Sequence, residues 1–350
     1  MRQLPYARSG ELEARQPFAD VMHARGVRQQ DPPVFGGTLR DMPVKGNKGR
    51  EGSDPCRVDS DARIPAEAID NRKRGGFVGT WQAEDTTMAL SPAEQAALDA
   101  QAKAEAARRK REREVREDAG AQAAMQLLAG TRPADALHPY LTAKKVGPHG
   151  LRMGVPGQAM TVEGAEGTTR QVGIAGRLLV PLRDISGRIR NVQVIAAQGG
   201  KLYLAGAQKA GTLHMLGALR PGAPVIVAGS YATAATIYRA TGMAVAAALD
   251  TGNLMAVAVA LRSQAPTRPI YLAADNDHHL PLRTTPLPNA GREMAMAAAA
   301  EVGGKVLLPE PVAARATAGK GTDWNDHEAC HGLASTWPAM QAAGLETGEA

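Results

Sequence analysis

Runs of consecutive apolar residues alternate with amphipathic segments of helical length over residues 224–309. The runs PVIVA, MAVAAALD, PIYLAAD and KVLLP predict four buried strands, and SYATAATIYRATG, NLMAVAVALRSQ and NAGREMAMAAAAEVGG predict the helices between them. Strands that are apolar throughout and alternate with helices are typical of a parallel sheet with helices on both faces. We therefore predict an α/β fold here, followed by a last helix around residues 328–344.

The pattern before this sheet is β-rich. The runs GRLLVPLRD and RIRNVQVIA predict a hairpin that turns at Ser186-Gly187, and KLYLAG predicts a third strand with Lys201 and Tyr203. A helix (AQAAMQLLAG) precedes these strands, and TLHMLG is a further β-like run. We predict a β-rich subdomain over residues 129–223.

Two more segments precede this subdomain. Residues 91–128 begin with Ser91, Pro92 and Glu94, a helix-start signature, and continue with opposite charges four residues apart, which predicts a long exposed linker helix. Residues 1–90 contain PFADVMHARG, a predicted short helix, and then β-like pieces between turns, which predict a small α+β module. The predicted segments are residues 1–90, 91–128, 129–223, 224–326 and 327–350, the last being a C-terminal helix and tail.

Composition narrows the class of protein. Aromatic residues make up only 3% of the chain, so aliphatic residues and Met must build the cores, and a stacking platform for single strands is disfavoured. Two cysteines exclude a disulfide framework and a four-cysteine zinc ribbon. No charge-free apolar run approaches ~18 residues, and the N-terminus lacks a secretory signal. We expect a cytoplasmic protein with no membrane partner.

Charge is distributed unevenly along the chain. Residues 120–223 carry 12 basic and 4 acidic side chains, for +8, whereas residues 224–350 carry 8 and 11, for −3. Enzymes that hold a polyanion on one surface and metal ions on another have this asymmetry, although a merely solvated basic surface is an equally good reading. The RRKRER run at 108–113 is balanced by acids, which favours a charged linker helix over a nucleic-acid patch.

Acidic residues follow the predicted strands. Asp275 and Asp277 stand two residues apart at the end of the third strand, where both carboxylates can approach one cation, and Asp250 ends the second strand. Mg²⁺ favours one or two carboxylates together with phosphate oxygens and water. A second acidic turn, GTDWND, contains Asp323 and Asp326. We predict a Mg²⁺ or Mn²⁺ site formed by these four strand-end and turn carboxylates, Asp275, Asp277, Asp323 and Asp326.

Longer segments around these acidic residues resemble a known protein family. The segments VIVAGSYATAATIYRATG, AVAAALDTGNLMAVAVALR, PIYLAADND, NAGREMAMAAAAEVGG and GTDWND resemble the Toprim domain of plasmid- and phage-encoded primases. The stretches HPYLTAKKVGPHGLR, LLVPLRDISGRIRNVQVI and GGKLYLAG resemble the primase core that precedes it, and FADVMHARG to GFVGTW is loosely similar to the N-terminal module of conjugative-plasmid primases. The resemblance implies synthesis of short RNA primers on single-stranded DNA from NTPs, with a replicative helicase or transfer machinery as a further partner.

One position departs from the family pattern. The resemblance places a glutamate after the first strand, as in A-E-G-Y, but the chain reads Ala228-Gly229-Ser230-Tyr231. Glycine cannot act as the general base or metal-linked acid that the family glutamate is proposed to be. The resemblance leaves Asp275, Asp277 and Asp250 as catalytic candidates. It also leaves open a weakened enzyme, an engineered substitution, or an inactive Toprim protein that binds nucleic acid or a regulatory partner.

Basic residues of the primase-core region are candidates for nucleic-acid contacts. Lys201 stands where the resemblance places a basic residue toward template or nucleotide, and the arginines flank the predicted hairpin; solvated edge charges are nearly as good a reading for each arginine. The candidate set is Lys201, Arg177, Arg183, Arg188, Arg190, Lys144 and Lys145. His327, Cys330 and His331 offer a weaker metal cluster without a clear further ligand, and His278-His279 read better as a solvent-exposed loop than as phosphate contacts.

Overall fold

A computed structural model describes the strands at 40–43, 53–59, 66–71 and 77–82, and residues 92–346 apart from 165–167, 285 and 312–320. The chain divides into two compact units, Met1–Arg109 and Lys110–Ala350. No helix in the described part of the chain is both long and apolar enough to span a membrane.

The first unit contains an antiparallel sheet in the order β1-β2-β3-β4. Each strand pairs with the next along the chain, so the sheet is a simple meander. The strands are β1 (Arg40–Pro43), β2 (Ser53–Asp59), β3 (Ala66–Asn71) and β4 (Phe77–Gln82). The predicted β pieces are thus present, whereas the short helix predicted over residues 17–26 lies outside the described residues.

Helix α1 (Pro92–Ala129) is the long helix predicted from the alternating charges. Glu105 accepts a hydrogen bond from Arg109 at 2.7 Å, the i,i+4 pair expected of an exposed helix. From Gly120 onward the helix buries small apolar residues, including Ala124, against a core under the β-rich sheet. The prediction of a separate helix for AQAAMQLLAG was wrong, because this segment continues α1. Gly120 does not end the helix; it packs against Ala207.

The β-rich subdomain is a five-stranded sheet in the order β11-β10-β9-β6-β5 beside a two-stranded ribbon, β7-β8. The predicted hairpin is present, and β11 carries Lys201 and Tyr203 as predicted. A short helix, α2 (Pro139–Lys144), ends at Lys145, whose φ is 55°. The strands are β5 (Arg132–Pro133), β6 (Arg152–Met153), β7 (Ala159–Glu163), β8 (Thr169–Gly173), β9 (Leu178–Arg183), β10 (Ile189–Ile195) and β11 (Lys201–Tyr203).

The second sheet of this unit has the order β12-β14-β13-β15-β16. Four strands are parallel, as predicted, while β12, formed by the TLHMLG run, pairs antiparallel with β14 at the edge. The strands are β12 (His214–Leu216), β13 (Val225–Ala228), β14 (Ala244–Ala247), β15 (Ile270–Ala273) and β16 (Lys305–Leu307). A helical turn, Thr251–Asn253, follows β14.

Helices cover both faces of this parallel sheet. Side chains of each strand alternate between two cores: Ile226 and Val245 belong to one, Val225 and Val227 to the other. The helices are α3 (Tyr231–Thr241), α4 (Leu254–Gln264), α5 (Ala290–Val302), α6 (Trp324–His331) and α7 (Leu333–Ala342). The single helix predicted around 328–344 is two helices, because Gly332 at φ 83° interrupts it.

Candidate active site

The carboxyl ends of the parallel strands bring the predicted site residues together. Ala228 pairs with Ala273 across β13 and β15, so Gly229 and Asp275 follow adjacent strand ends. A Cβ placed on Gly229 would lie 3.9 Å from Asp275 Oδ2 and 3.4 Å from Thr251 Oγ1. The position where the resemblance calls for a glutamate therefore faces Asp275, and a Cβ there would meet its neighbours at ordinary van der Waals distances.

Asp275 is a strongly perturbed carboxyl of the site. Its Oδ1 is buried and has no hydrogen-bond partner. Burial and the nearby Asp323 and Asp277 raise the pKa of Asp275 to about 7, against an attraction from Lys201 that lowers it. Such a carboxyl is half protonated near neutral pH, and a cation beside it would favour the ionised form and oppose the effects of burial and of the acidic neighbours.

Asp277 lies at the amino end of α5. Its Oδ2 accepts a hydrogen bond from Gly291 N at 3.1 Å, and its own N–H donates to Asn289 Oδ1 at 2.9 Å. Gly291 is required for this packing, since a Cβ there would lie 2.4 Å from the Asp275 carbonyl oxygen. The Asp277 carboxylate is therefore held against the backbone at the amino end of α5.

Asn276, between the two aspartates, locks the loop in place. It is buried, its Oδ1 accepts from Asn289 Nδ2 at 2.9 Å, and its Nδ2 donates to the Pro309 carbonyl at 2.9 Å. Its N–H also donates to the Thr322 carbonyl at 2.7 Å, which ties the DxD segment to the GTDWND turn. Sequence reasoning gave Asn276, Asn289 and Gly291 no role. The available signal was that all three lie in segments that resemble the Toprim domain, PIYLAADND and NAGREMAMAAAAEVGG.

The GTDWND turn contributes its acids mainly as caps. Asp323 Oδ1 accepts from Asp326 N at 2.8 Å at the start of α6, and Asp326 Oδ2 accepts from Gly321 N at 2.8 Å. Burial, followed by the charge of Asp326, raises the pKa of Asp323. The charges of Asp323 and, to a lesser extent, Asp326 also raise the pKa of Asp275, so both acids of the turn lie within electrostatic reach of it.

Lys201 faces this acidic group from the β-rich sheet. Although the residue is exposed, the protein atoms crowded around its ammonium lower its pKa, and Asp275, Asp323 and Asp250 act in the opposite direction. Lys144, in the last turn of α2, also acts on the charges of Lys201 and Asp323. Two of the predicted basic residues are therefore brought to the carboxylates.

Asp250, which follows β14, already has hydrogen-bond partners for both carboxylate oxygens. Its Oδ1 accepts from Gly252 N at 2.8 Å, and its Oδ2 contacts Lys209 Nζ at 2.6 Å. The preceding residue, Leu249, has φ 60°, and its carbonyl accepts from Tyr203 Oη at 2.9 Å. A left-handed apolar residue at a strand end is uncommon and marks a strained, over-determined position. Sequence reasoning missed Lys209, because nothing local in GAQKAG links it to Asp250.

The hairpin arginines lie elsewhere. Arg183 donates to the Gly187 carbonyl at 2.7 Å and Arg188 pairs with Asp184 at 3.1 Å, both at the turn. Lys201 pairs with Ile195 at the other end of the seven-residue β10, roughly 20 Å away at 3.4 Å per residue. The turn arginines and Lys201 therefore belong to different regions of the surface.

Three further basic candidates have their own settings. Arg190 is held by Asp118 and Gln208 at 2.9 and 2.8 Å. The Lys145 carbonyl accepts a hydrogen bond from Arg239. Arg177 is half-buried just before β9. The assignment of these residues to nucleic-acid contacts stays a prediction.

Histidines near the site do not assemble a metal cluster. Within the described ranges, no three or more His, Cys, Asp or Glu side chains form a group that could hold a metal ion. The rings of His327 and His331 are 4.8 Å apart, beside the exposed Cys330. His278 Nε2 and His279 Nδ1 are buried without partners, so this loop is not the plain exposed loop predicted.

Known proteins are similar to this chain in sequence. Residues 224–334 match the family model of the Toprim domain. Two DNA primases TraC of Escherichia coli are 34% identical over 307 residues and 31% identical over 312 residues, covering 85% and 87% of this chain. The primase fragment of the bacteriophage T7 primase-helicase protein is 14% identical with a TM-score of 0.38, covering 58% of this chain and 74% of that chain.

The Toprim match and the TraC similarities confirm the resemblance to plasmid-type Toprim primases that the sequence motifs indicated. The chain spans 20% and 27% of the length of the two TraC proteins. What the full-length relatives do therefore applies to this chain only as a proposal.

Proposed function

We propose that this chain is the primer-synthesising part of a plasmid-type DNA primase, which makes short RNA primers on single-stranded DNA from NTPs during replication or conjugative transfer. The observation that carries the proposal is the buried, unpartnered Asp275 oxygen among Asp277 and Asp323, facing Lys201. The TraC similarity over 85% of the chain supports the same activity. A cytoplasmic location and a replicative helicase or transfer protein as partner belong to the same proposal.

A divalent cation, Mg²⁺ or Mn²⁺, fits this site. Toprim domains in general bind divalent metals, and a buried Asp275 oxygen without a partner, with a pKa raised by burial and by its acidic neighbours, is suited to contact a cation. Mg²⁺ keeps several waters and takes one or two carboxylates plus substrate phosphates, so it needs no group of three protein ligands. Asp275 and Asp277 would hold it, with Asp323 as a nearby charge. When bound, such a cation stabilises negative charge on the transferring phosphate.

The chain's own side chains prepare the rest of the reaction. Asp277 is fixed by the Gly291 N–H and Asn289, so its orientation is set before substrate binds. Lys201 places an ammonium at the rim, where it can bind a triphosphate or template phosphate. Asp250 lies beside Lys209 and lacks the burial of Asp275. No side chain at 229 is available to take the proton from the attacking hydroxyl.

A second function is favoured by Gly229. A Toprim protein without the strand-end carboxylate can keep the fold and the basic rim while losing turnover, and would then bind nucleic acid or a replication partner in a regulatory role. The lack of a carboxylate at position 229 supports this alternative, because a Cβ there would meet the Thr251 hydroxyl at 3.4 Å before it meets any acid. The two functions share DNA binding and differ in catalysis.

A primer-synthesis assay separates them. Labelled NTPs and single-stranded DNA are incubated with Mg²⁺ or Mn²⁺ and the native chain, Gly229→Glu, Asp275→Asn, or Glu301→Gln, which changes an exposed acid on α5. We expect weak synthesis by the native chain, a clear increase with Gly229→Glu, loss with Asp275→Asn and no change with Glu301→Gln. Absence of primers from both the native chain and Gly229→Glu, with DNA binding retained, would establish the non-catalytic function instead.

A further inference from the structure

We infer that the turn formed by residues 205–212, here called the bridging loop, is fixed by helix α1 and Arg190, and that it positions Lys209 against Asp250 at the site. In this inference Arg190 is a positioning residue. It rests on the proposed function only in treating Asp250 as part of the site.

Helix α1 packs directly on the backbone of the bridging loop. A Cβ added to Gly120 would lie 2.5 Å from Ala207 Cα, a distance that side chains do not tolerate. One residue earlier in the loop, the Cβ position of Gly206 lies 3.3 Å from Arg116 Cγ of the same helix. The absence of a side chain at Gly120 therefore lets the helix and the loop approach each other.

Arg190 of β10 also links helix α1 to the bridging loop. Its side chain is 14% exposed, and its guanidinium donates to Asp118 Oδ1 of α1 at 2.9 Å and to Gln208 Oε1 at 2.8 Å. The neighbouring Asn191, which is buried, donates to the Ala207 and Gln208 carbonyls at 3.2 and 2.9 Å. The loop backbone is thus held by β10 as well as by α1.

The far end of the bridging loop is joined to the strand end of β14. Gly211 N donates to Asn253 Oδ1 at 2.8 Å, and Asn253 Nδ2 returns a bond to the Thr212 carbonyl at 2.8 Å. Between these anchors, Lys209 Nζ contacts Asp250 Oδ2 at 2.6 Å and lies 4.7 Å from the centre of the Tyr203 ring. Helix and strand end are therefore connected through one short loop.

The contacts that hold the bridging loop determine where Lys209 lies, because the Lys209–Asp250 ion pair itself is weak. Lys209 and Asp250 are 45% and 39% exposed, and exposed ion pairs contribute little by themselves. A long, flexible lysine side chain stays at the carboxylate only if its backbone is held. A shift of the end of α1 would accordingly release Lys209 from Asp250.

The experiment measures how fast Lys209 reacts with an acylating reagent, by mass spectrometry of the full chain. An amine engaged by a carboxylate is less available to the reagent, so Asp250→Asn should raise the Lys209 rate about two- to five-fold, the range for an exposed ion pair. Arg190→Gln and Asp118→Asn should do the same, and Arg190→Lys should restore part of the protection. Arg188→Gln, in the same hairpin but bonded to Asp184, is the matched control and should leave the rate unchanged.

The outcomes are independent of turnover. Lys305, which contacts Glu346 at 2.6 Å, serves as the internal reference in every sample. Asp118 is exposed, so Asp118→Asn keeps the test valid if Arg190→Gln fails to fold. A faster Lys209 in Asp250→Asn but not in Asp118→Asn or Arg190→Gln would overturn the inference, as would an unchanged rate in Asp250→Asn itself. Lack of primer synthesis in all samples would count against the proposed function alone.

Discussion

The substitution Asp275→Asn should stabilise the protein at neutral and alkaline pH when no cation is present. In the folded chain, burial and the charges of Asp323 and Asp277 raise the pKa of Asp275 to about 7 from the ordinary 3.8. A carboxyl with a raised folded-state pKa binds more protons in the folded chain than in the unfolded chain between these two values. Stability is therefore lost as pH rises from about 4 to about 7 and stays reduced above.

The magnitude follows from the size of the shift. One pKa unit corresponds to about 1.4 kcal/mol, so ionising Asp275 reduces the free energy of unfolding by about 4 kcal/mol at pH 8. Asparagine has the same shape without the charge, so most of this loss should disappear in the variant. The advantage of Asp275→Asn should shrink by about 2 kcal/mol between pH 8 and pH 5.5.

Urea unfolding with chelator, followed by tryptophan fluorescence to which the buried Trp324 contributes, measures this difference. Glu301→Gln is the control, since it removes an exposed acid from the same sheet domain. Excess Mn²⁺ should stabilise the native chain and leave Asp275→Asn almost unchanged. A variant that is no more stable than the native chain at pH 8, or whose advantage does not depend on pH, would refute the reasoning about Asp275.

Three further changes test other parts of the site. Gly229→Glu should tighten Mn²⁺ binding by about tenfold in calorimetry, because it adds a carboxylate facing Asp275; unchanged affinity would contradict this. Lys201→Ala should reduce the slope of log K against log salt for single-stranded DNA by about 0.7 in binding titrations, and an unchanged slope would remove Lys201 from the phosphate contacts. Gly291→Ala should cost about 1–3 kcal/mol in urea unfolding, whereas Gly173→Ala, with open space around its Cβ, should cost less; equal effects would refute the packing argument.

The parallel sheet was predictable because its signal is local. Each of its four parallel strands is an uninterrupted apolar run, and a helix-length segment separates each run from the next. The type of each element and its order along the chain could therefore be predicted from residues 224–309. Ligands bind at the carboxyl ends of parallel strands, and for this reason the sequence alone identified Asp275 and Asp277 as candidate site residues.

The remaining features depend on contacts between residues far apart in the chain. The TLHMLG run was recognisable as a strand, but its antiparallel pairing with β14 is set by tertiary packing. Arg190 reads as a surface charge, and only the fold brings it to Asp118, 72 residues earlier. The Lys209–Asp250 contact spans 41 residues in the same way. Such pairings leave no periodic signal, so sequence reasoning could not foresee the contact of Arg190 with Asp118 or that of Lys209 with Asp250.

Gly229 is where these two kinds of information meet. The resemblance places a glutamate at this position, and the structure adds that a Cβ there would make only ordinary van der Waals contacts, with Asp275 Oδ2 at 3.9 Å. Asp275 is already surrounded by like charges, so a glutamate at 229 without a cation would raise the pKa of Asp275 further. With a cation, the same carboxylate becomes favourable, because it adds a ligand or a base without moving the backbone. A chain with glycine therefore gives up cation affinity and a base together, and a gain of both on restoring the glutamate is what a weakened primase, rather than a binding protein, should show.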